Sequence, residues 1–257
     1  MSNTLTYHTG FQKRHSMLTS LSKYDYTTLS IPYPSEDIRP VFSIISNAET
    51  GRKISSDKIL EVQLKLMQKL YAAKFQLKPV GESSAWKTIS NQLQWLKKEC
   101  QITNYFEDST MREVSKQLQA IYKSINTDEK IAVSSVPHDF TPWKLNSDEN
   151  RLYRFGWETE DCGIPMLTDL FHYFFLTRII VASGDYKQVS KSIHAALEHP
   201  ASKKIIKKYT INVQLHYRLY LLFSISHYLR MYISQNLPLS QMHRLSQVWS
   251  EALSEIE

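Results

Sequence analysis

The centre of the chain contains the run Val136-Pro137-His138-Asp139-Phe140-Thr141-Pro142-Trp143-Lys144-Leu145-Asn146. It lies within residues 134–149, a segment that is rich in Pro, Asp, Asn and Ser and shows little helical periodicity. On one side lies Ile131–Val133, which is rich in β-branched residues, and on the other lie residues 151–158, which alternate as a strand does. Long ordered loops in compact domains usually carry function. We therefore expect the functional site in and around this loop.

Helical periodicity dominates the chain on both sides of the loop. Before it, apolar residues recur at steps of three and four from residue 56 up to Pro79, over 84–100 and over 109–125. The three stripes comprise Ile59, Val62, Leu66, Leu70 and Ala73; Trp86, Ile89, Leu93 and Leu96; and Met111, Val114, Leu118 and Ile121. After Pro165 we expect helices near 166–183, 186–198, 203–233 and 238–256, with most of the aromatic side chains in the core.

The first fifty residues differ from the rest. They contain short β-prone runs rich in Thr, Ser and Tyr, interrupted by Pro32, Pro34 and Pro40. Two or three short strands or an irregular lead-in would both fit this pattern. We therefore divide the chain into a β-rich lead-in, 1–50, and a helical region, 51–257.

The composition is that of a folded protein, with 42% hydrophobic and 22% charged residues in a chain of 257. The net charge of +6 suits a phosphate-bearing ligand but does not by itself favour a nucleic acid. Cys100 and Cys162 are too few for a disulfide framework or a cysteine-rich zinc site. No apolar run approaches the ~20 residues of a membrane span, and residues 1–10 lack the apolar core of a signal peptide. We expect a cytoplasmic protein with neither a membrane nor a nucleic-acid partner.

The central segment resembles the catalytic half of the aminoglycoside phosphotransferase and choline-kinase-like group, which has a protein-kinase-like fold. That group reads His-Gly-Asp-Phe-x-Pro-Trp-Asn, then a β-hairpin ending in Phe-Asp-Trp-Glu, then Pro-x-x-Asp-Leu at the start of a helix. The resemblance covers about residues 136–176. The matching residues are Asp139, Phe140, Pro142, Trp143, Phe155, Trp157, Glu158 and Asp169.

The resemblance implies an ancestry in phosphoryl transfer from ATP, with Mg²⁺, to a hydroxyl of a small molecule such as a sugar or amino alcohol. Asp139 falls on the catalytic Asp, and Asp169 falls on the structural Asp that braces the catalytic loop. The chain departs from the pattern in three places: Pro137-His138 replaces the His-Gly before the catalytic Asp, Lys144 replaces the metal-binding Asn, and Gly156 replaces the metal-binding Asp. A charged lysine has only hydrogen-bond donors, and glycine has no side chain. The glycine-rich phosphate loop of the group is also missing, since no G-x-G-x-x-G occurs. ATP and Mg²⁺ are thus expected from the family but lack their usual ligands here.

These observations predict a mainly α (α+β) fold, the C-terminal lobe of a kinase-like phosphotransferase with a shortened N-terminal β segment. The first functional hypothesis is a catalytically impaired member of the group that binds a small molecule or a protein partner. The second is a divergent kinase with Asp139 as base. The third is a helical interaction module whose basic face binds an acidic partner.

Several residues allow two interpretations. Lys144 could bind a nucleotide phosphate in place of the metal or simply face water, and Asp139 could be a base or make turn hydrogen bonds. Glu158, with Glu160 and Asp161, could recruit a metal, although strand alternation would turn only some of them inward. The run Lys203–Lys208 could be a phosphate-binding or nucleic-acid-binding patch or a solvated helix start. His216 and His227 are eleven residues apart, about three helical turns, which is too far to share one metal ion.

Overall fold

The computed structural model describes residues 29–30, 52–53, 64, 67, 71, 75–102, 109–136, 145–148, 151–154, 161–181, 184–235 and 239–256. These residues fall into two compact units. One takes its residues from 1–75 and 134–162, and the other takes its residues from 76–133 and 163–257. The predicted boundary between residues 50 and 51 lies outside the described residues and stays a prediction.

The second unit is mainly helical, as the sequence predicts. Its helices are α1 (Ser84–Ile102), α2 (Ser109–Ser124), α3 (Thr168–Leu176), α4 (Tyr186–Glu198), α5 (Pro200–Lys208), α6 (Val213–Gln235) and α7 (Leu239–Ile256). Helix α1 packs along α6, and α2 packs along α7. Among the described residues, no helix combines the length and apolar character needed to cross a membrane.

Most of the predicted helices are confirmed, and their ends lie within two residues of the prediction. Their apolar stripes form the core. Trp86, Ile89, Leu93 and Leu96 of α1 are buried, as are Met111, Val114, Leu118 and Ile121 of α2. The stripe predicted from Ile59 to Ala73 lies outside the described residues. Leu64, Met67 and Tyr71, which were not in that stripe, are helical and fully buried.

The single helix predicted over 203–233 is wrong, because the chain forms two helices, α5 and α6. Thr210, after α5, takes a left-handed φ of 52°. The N–H of Ile211 then donates to the carbonyl of Ile206 at 3.0 Å, and that of Thr210 donates to Lys207 at 3.4 Å. These two bonds form a Schellman motif, which normally carries glycine at the left-handed position. With threonine there, the usual stop signal is absent from the sequence.

The helix predicted over 166–183 also changes character along its length. Regular α-helix ends at Leu176, and Thr177–Val181 continues as a π-helical turn. Gly184 then closes the segment by donating its N–H to the carbonyl of Arg178 at 2.7 Å. Hydrophobic periodicity does not distinguish these two helix types over so short a stretch.

A three-stranded sheet lies beside the helices in the strand order β3-β4-β7. The strands are β3 (Gln76–Pro79), β4 (Lys130–Val136) and β7 (Asp161–Pro165). Strand β4, predicted from Ile131–Val133, is central and buried and pairs antiparallel to β3. The helix predicted from residue 56 up to Pro79 is wrong at its end, because Gln76–Pro79 pair with β4 as the edge strand β3, whose Leu77 is 51% exposed. Strand β7 was not predicted either.

The other unit contains a second sheet in the order β1-β6-β5-β2. Its strands are β1 (Leu29–Ser30), β2 (Arg52–Lys53), β5 (Leu145–Asp148) and β6 (Arg151–Arg154). Strands β5 and β6 form the predicted hairpin, in which Leu145 pairs with Arg154 and Asp148 pairs with Arg151. Strand β1 runs parallel to β6, and β2 runs antiparallel to β5. The fold is therefore mainly helical and contains the predicted hairpin, whereas the kinase-like lobe stays a prediction.

Candidate functional site

The loop that carries the motif is described only at its borders. Strand β4 leads into it and ends at Val136, and strand β5 begins directly after it at Leu145. Asp139, Lys144 and Glu158 lie outside the described residues, as do His138 and Gly156. Their roles stay predictions.

Asp169 is the predicted site residue that the structure describes. It lies in the first turn of α3 and is 1% exposed. The positive end of a helix dipole favours a carboxylate at this position. Burial of a carboxylate in a first turn is the placement expected of a structural Asp. Its bracing of the catalytic loop stays a prediction.

The turn before Asp169 holds the backbone in an uncommon conformation. In this turn Leu167, which is fully buried, has a φ of 70°, and Gly163, in the preceding strand β7, has a φ of 99°. The hydroxyl of Thr168 donates to the carbonyl of Pro165 at 2.7 Å. Left-handed residues other than glycine are uncommon, and they persist where the surrounding structure fixes them. The turn therefore places Asp169 rigidly at the start of the helix.

Within the helical unit, the carbonyl of Ala132 connects strand β4 to its neighbours. This oxygen accepts the N–H of Met166, at the end of β7, at 3.0 Å. It also lies 3.1 Å from Nε2 of His216, on α6. The strand that leads into the motif loop is thus tied to the long helix by a buried imidazole. Sequence reasoning considered His216 only as a metal ligand and missed this contact, because nothing local to His216 indicates a strand 84 residues away.

The His216 ring lies between two carbonyl oxygens. Its Nδ1 is 2.7 Å from the carbonyl of Asn212, opposite the contact of Nε2 with Ala132. A neutral imidazole can donate from only one of its nitrogens. Burial lowers the pKa of His216, although both carbonyl contacts and the nearby Glu129 carboxylate act in the opposite direction. The ring is therefore neutral at pH 7 and makes one of the two hydrogen bonds.

Asn212 links the same helix to the start of β4. Its Oδ1 accepts the N–H of Leu215 at 3.1 Å and caps the first turn of α6. Its Nδ2 donates to Glu129 Oε1 at 2.9 Å, one residue before β4. Together, Asn212 and His216 hold the beginning of α6 against the strand.

An aromatic layer between α3 and α6 supports this arrangement. Phe171 contacts Tyr217 and Tyr220 with ring centroids 5.0 and 5.6 Å apart, and Phe175 lies 5.4 Å from Tyr220. His172 stacks on Tyr228 at 6.4 Å. Phe171, Phe175, Tyr220 and His172 are buried, which confirms the prediction that the aromatic residues of this region form core.

A phenol–carboxylate cluster adjoins the aromatic layer at Tyr217. The hydroxyl of Tyr186 donates to the Glu255 carboxylate and lies 3.2 Å from the hydroxyl of Tyr217. Burial and the neighbouring carboxylate both raise the pKa of Tyr186, and burial raises that of Tyr217. Both phenols are therefore protonated at neutral pH. The hydrogen bonds of the cluster link helices α4, α6 and α7.

The described residues do not bring three His, Cys, Asp or Glu side chains together as a metal site. Comparison with known proteins found no matching family model, no similar curated protein and no similar solved structure.

Proposed function

We propose that this protein is a phosphotransferase-like protein, similar to the aminoglycoside phosphotransferase and choline-kinase-like group, whose chemistry is impaired and which acts by binding a ligand or a partner. One observation carries the proposal. The motif residues follow one another in the family's order, from Asp139 to Asp169, while lysine and glycine occupy its two metal-binding positions. A shared ancestry would account for the order of the motif residues, and the two replacements would account for impaired phosphoryl transfer.

The residues at the metal positions do not fit Mg²⁺. This ion requires oxygen ligands in octahedral geometry. Lys144 supplies an ammonium group, and Gly156 supplies no side chain. We therefore assign no catalytic step that passes through a metal at these positions. An ammonium group at residue 144 could instead contact a phosphate directly as a point charge.

The arrangement of the described elements supports the proposal. The hairpin β5–β6 and helix α3 follow the motif loop in the order of the family pattern. Asp169 is buried in the first turn of the helix, where the pattern places its bracing carboxylate. The network of His216 and Asn212 would hold the strand that enters the motif loop even if no chemistry occurs there.

The first experiment measures ATP binding by calorimetry with Mg²⁺ and with EDTA. The proposal predicts that binding, where it occurs, is the same in both conditions, and that purified protein does not phosphorylate sugars or amino alcohols. Loss of metal-independent binding in Lys144→Gln would identify the lysine as the phosphate contact. Robust Mg²⁺-dependent phosphotransfer by the unaltered chain would refute the proposal.

Restoration of the family's ligands gives a sharper test. The double variant Lys144→Asn, Gly156→Asp supplies the two oxygen ligands of the pattern, and we expect it to acquire Mg²⁺-dependent ATP binding. The matched control, Lys144→Ala with Gly156→Ala, changes the same positions without adding ligands and should not acquire it. Equal behaviour of the two double variants would show that the resemblance does not extend to a nucleotide site.

A divergent kinase is the second candidate, because the catalytic Asp139 is retained and Glu158, Glu160 and Asp161 lie close to the missing metal ligand in sequence. It requires that Asp139→Ala abolish turnover while the far-UV circular dichroism and the melting temperature remain unchanged. Equal turnover of this variant and the unaltered protein would exclude it.

A further inference from the structure

The positive charge of the chain is concentrated on two consecutive helices. Residues 186–208, which form α4 and α5, contain six lysines and one acidic residue, Glu198, a formal charge of +5. The whole chain carries +6. The remaining residues are thus almost neutral, and the charge is a property of this surface and not of the protein as a whole.

All six lysines are exposed. We use the name lysine face for these exposed side chains of α4 and α5, which are Lys187, Lys191, Lys203, Lys204, Lys207 and Lys208. Helices α4 and α5 pack against each other and are joined through a single residue, His199, whose Nδ1 accepts the N–H of Ala201 at 3.2 Å. The short connection and this cap keep the two helices, and their lysines, in a fixed arrangement.

Helix stability does not explain the whole face. Lysines in the last turn of a helix complement its dipole, which accounts for Lys207 and Lys208. Lys187 lies in the first turn of α4, where the dipole disfavours a positive charge. Lys203 and Lys204 lie in the first half of α5, away from the favourable end. The face therefore contains more positive charge than its own helices require.

We propose that the lysine face binds an acidic protein segment. The proposal goes beyond the nucleotide-related function and is independent of it. The face already holds one carboxylate, since Glu198 accepts a hydrogen bond from Lys203 Nζ at 2.5 Å. Pairs such as Lys187 and Lys191, or Lys203 and Lys207, are one helical turn apart, about 6 Å along the axis. Carboxylates four residues apart on an acidic helix have the same spacing.

The side chains of the face favour this partner over other polyanions. Residues 186–208 contain no arginine for bidentate phosphate contacts, and Arg178, which contacts α4, donates its Nε–H to Ser192 Oγ at 3.0 Å. Tyr186, their only Phe, Tyr or Trp, is buried and cannot stack on a base. No large apolar side chain of residues 186–208 is fully exposed, so none is available to insert into a lipid surface. The exposed charges are flexible ammonium groups and one carboxylate, which suit exposed ion pairs with another protein.

The test compares three polyanions at equal ionic strength: fluorescent poly-glutamate, a duplex DNA of 20 base pairs, and vesicles that contain phosphatidylserine. The face variant is K203Q/K204Q/K207Q/K208Q. The matched control, K97Q/K98Q/K116Q/K123Q, removes the same charge from exposed positions on α1 and α2. We expect the face variant to lose about tenfold in affinity for poly-glutamate and the control to lose much less. Binding of the unaltered protein should weaken as NaCl is raised.

Equal losses of poly-glutamate affinity in the face variant and in the control variant would overturn the proposal, because they would show that binding responds to net charge alone. Tighter binding of DNA or vesicles than of poly-glutamate, lost in the face variant, would also overturn it and assign the face to those partners. The variant K203R/K204R/K207R/K208R keeps the charge and should retain the poly-glutamate affinity. If the arginine variant keeps its affinity for poly-glutamate and the circular dichroism of all variants is unchanged, misfolding is excluded as the cause of the lower affinity of the face variant.

Discussion

Asp169 and His216 show which single residues can be recognised from the sequence. Asp169 lies close behind Pro165 at the start of an apolar helical pattern, so its position in the first turn of α3 was predictable. The role of His216 depends on the carbonyl of Ala132, which is remote in sequence and has no side-chain signature. Contacts to main-chain atoms across the fold leave no trace in a local motif, and for this reason the anchor of β4 was missed.

Gly163 provides a prediction at this scale. Its φ of 99° strains any other residue, and a Cβ there would lie 3.2 Å from Ser84 Oγ. We expect Gly163→Ala to destabilise the protein by about 1–3 kcal/mol, measured by urea unfolding. Gly81→Ala is the control, because its Cβ would meet Thr127 at a similar 3.3 Å without a positive φ. If the two variants lose the same stability, crowding and not backbone strain accounts for the effect.

His216 predicts a dependence of stability on pH. Burial lowers its pKa in the folded protein below the ordinary value of 6.5. Below about pH 6.5 the unfolded chain therefore binds a proton that the folded protein takes up only at lower pH, so stability falls with acidification. Above about pH 7.5 both states are neutral and the effect disappears.

The variant His216→Gln isolates this contribution. The glutamine amide can donate a hydrogen bond to a carbonyl but does not titrate. The free energy of unfolding of this variant should therefore fall less between pH 7.5 and 5.5 than that of the unaltered protein. His194→Gln, at an exposed position on α4, should keep the original dependence. Parallel pH profiles for His216→Gln and the unaltered chain would show that the ring does not titrate as the buried geometry requires.

At the scale of elements, the predictable helices are those whose apolar stripe is long, and a glycine or proline beside a helix end fixes the boundary more closely. Helix α4 was predicted with its observed bounds because Gly184-Asp185 precedes it and His199-Pro200 follows it. The end of α5 was missed because a threonine occupies the left-handed position of its Schellman motif. Strand β3 was missed because an exposed edge strand lacks the buried alternation that identifies strands.

The end of α5 leads to the next prediction. Thr210 is exposed and left-handed, and a β-branched residue in that region costs about 1–2 kcal/mol relative to glycine. Because glycine is more flexible in the unfolded chain, part of this gain is lost, and we expect Thr210→Gly to stabilise the protein by up to about 1 kcal/mol. Thr88→Gly, within α1, should destabilise it instead. Thermal unfolding of both variants measures the contrast, and destabilisation by Thr210→Gly would argue against the Schellman end.

A buried hydrogen bond joins α1 to α6 and gives a second prediction at this scale. The Ser226 hydroxyl lies 2.7 Å from Gln92 Oε1 and 2.6 Å from the carbonyl of Leu222 on its own helix, so its single hydrogen is shared between these two oxygens. Ser226 and Gln92 are both buried. Ser226→Ala leaves the buried amide oxygen without this donor and should destabilise the protein by about 1–3 kcal/mol in urea unfolding. Ser234→Ala makes the same change at an exposed position of α6, where Ser234 bonds only to Met231 of its own helix at 3.0 Å, and should have little effect. Similar losses for the two variants would show that the bond between helices contributes no more than the local one.

At the scale of the whole molecule, the helical unit is built from two stretches of chain, 76–133 and 163–257. Periodicity predicts each helix separately but not which stretches assemble, because that choice depends on contacts between residues far apart in sequence. Helix α7 illustrates the point. Ser254 accepts a hydrogen bond from Gln117 of α2 at 2.7 Å, and the carbonyl of Ile256 accepts one from Arg218 of α6 at 2.7 Å. The last helix thus joins elements from both stretches.

The last prediction tests whether α7 holds the helical unit together. Leu253 is fully buried on this helix, which contacts α2, α4 and α6. We expect Leu253→Ala to destabilise the protein by about 2–5 kcal/mol, whereas Glu251→Ala, at an exposed position on the same helix, should change the stability by less than about 0.5 kcal/mol. Because α7 bridges both stretches, tryptophan fluorescence and far-UV circular dichroism should report one shared transition in Leu253→Ala. Separate transitions would mean that α7 detaches on its own and that the remaining helices fold without it.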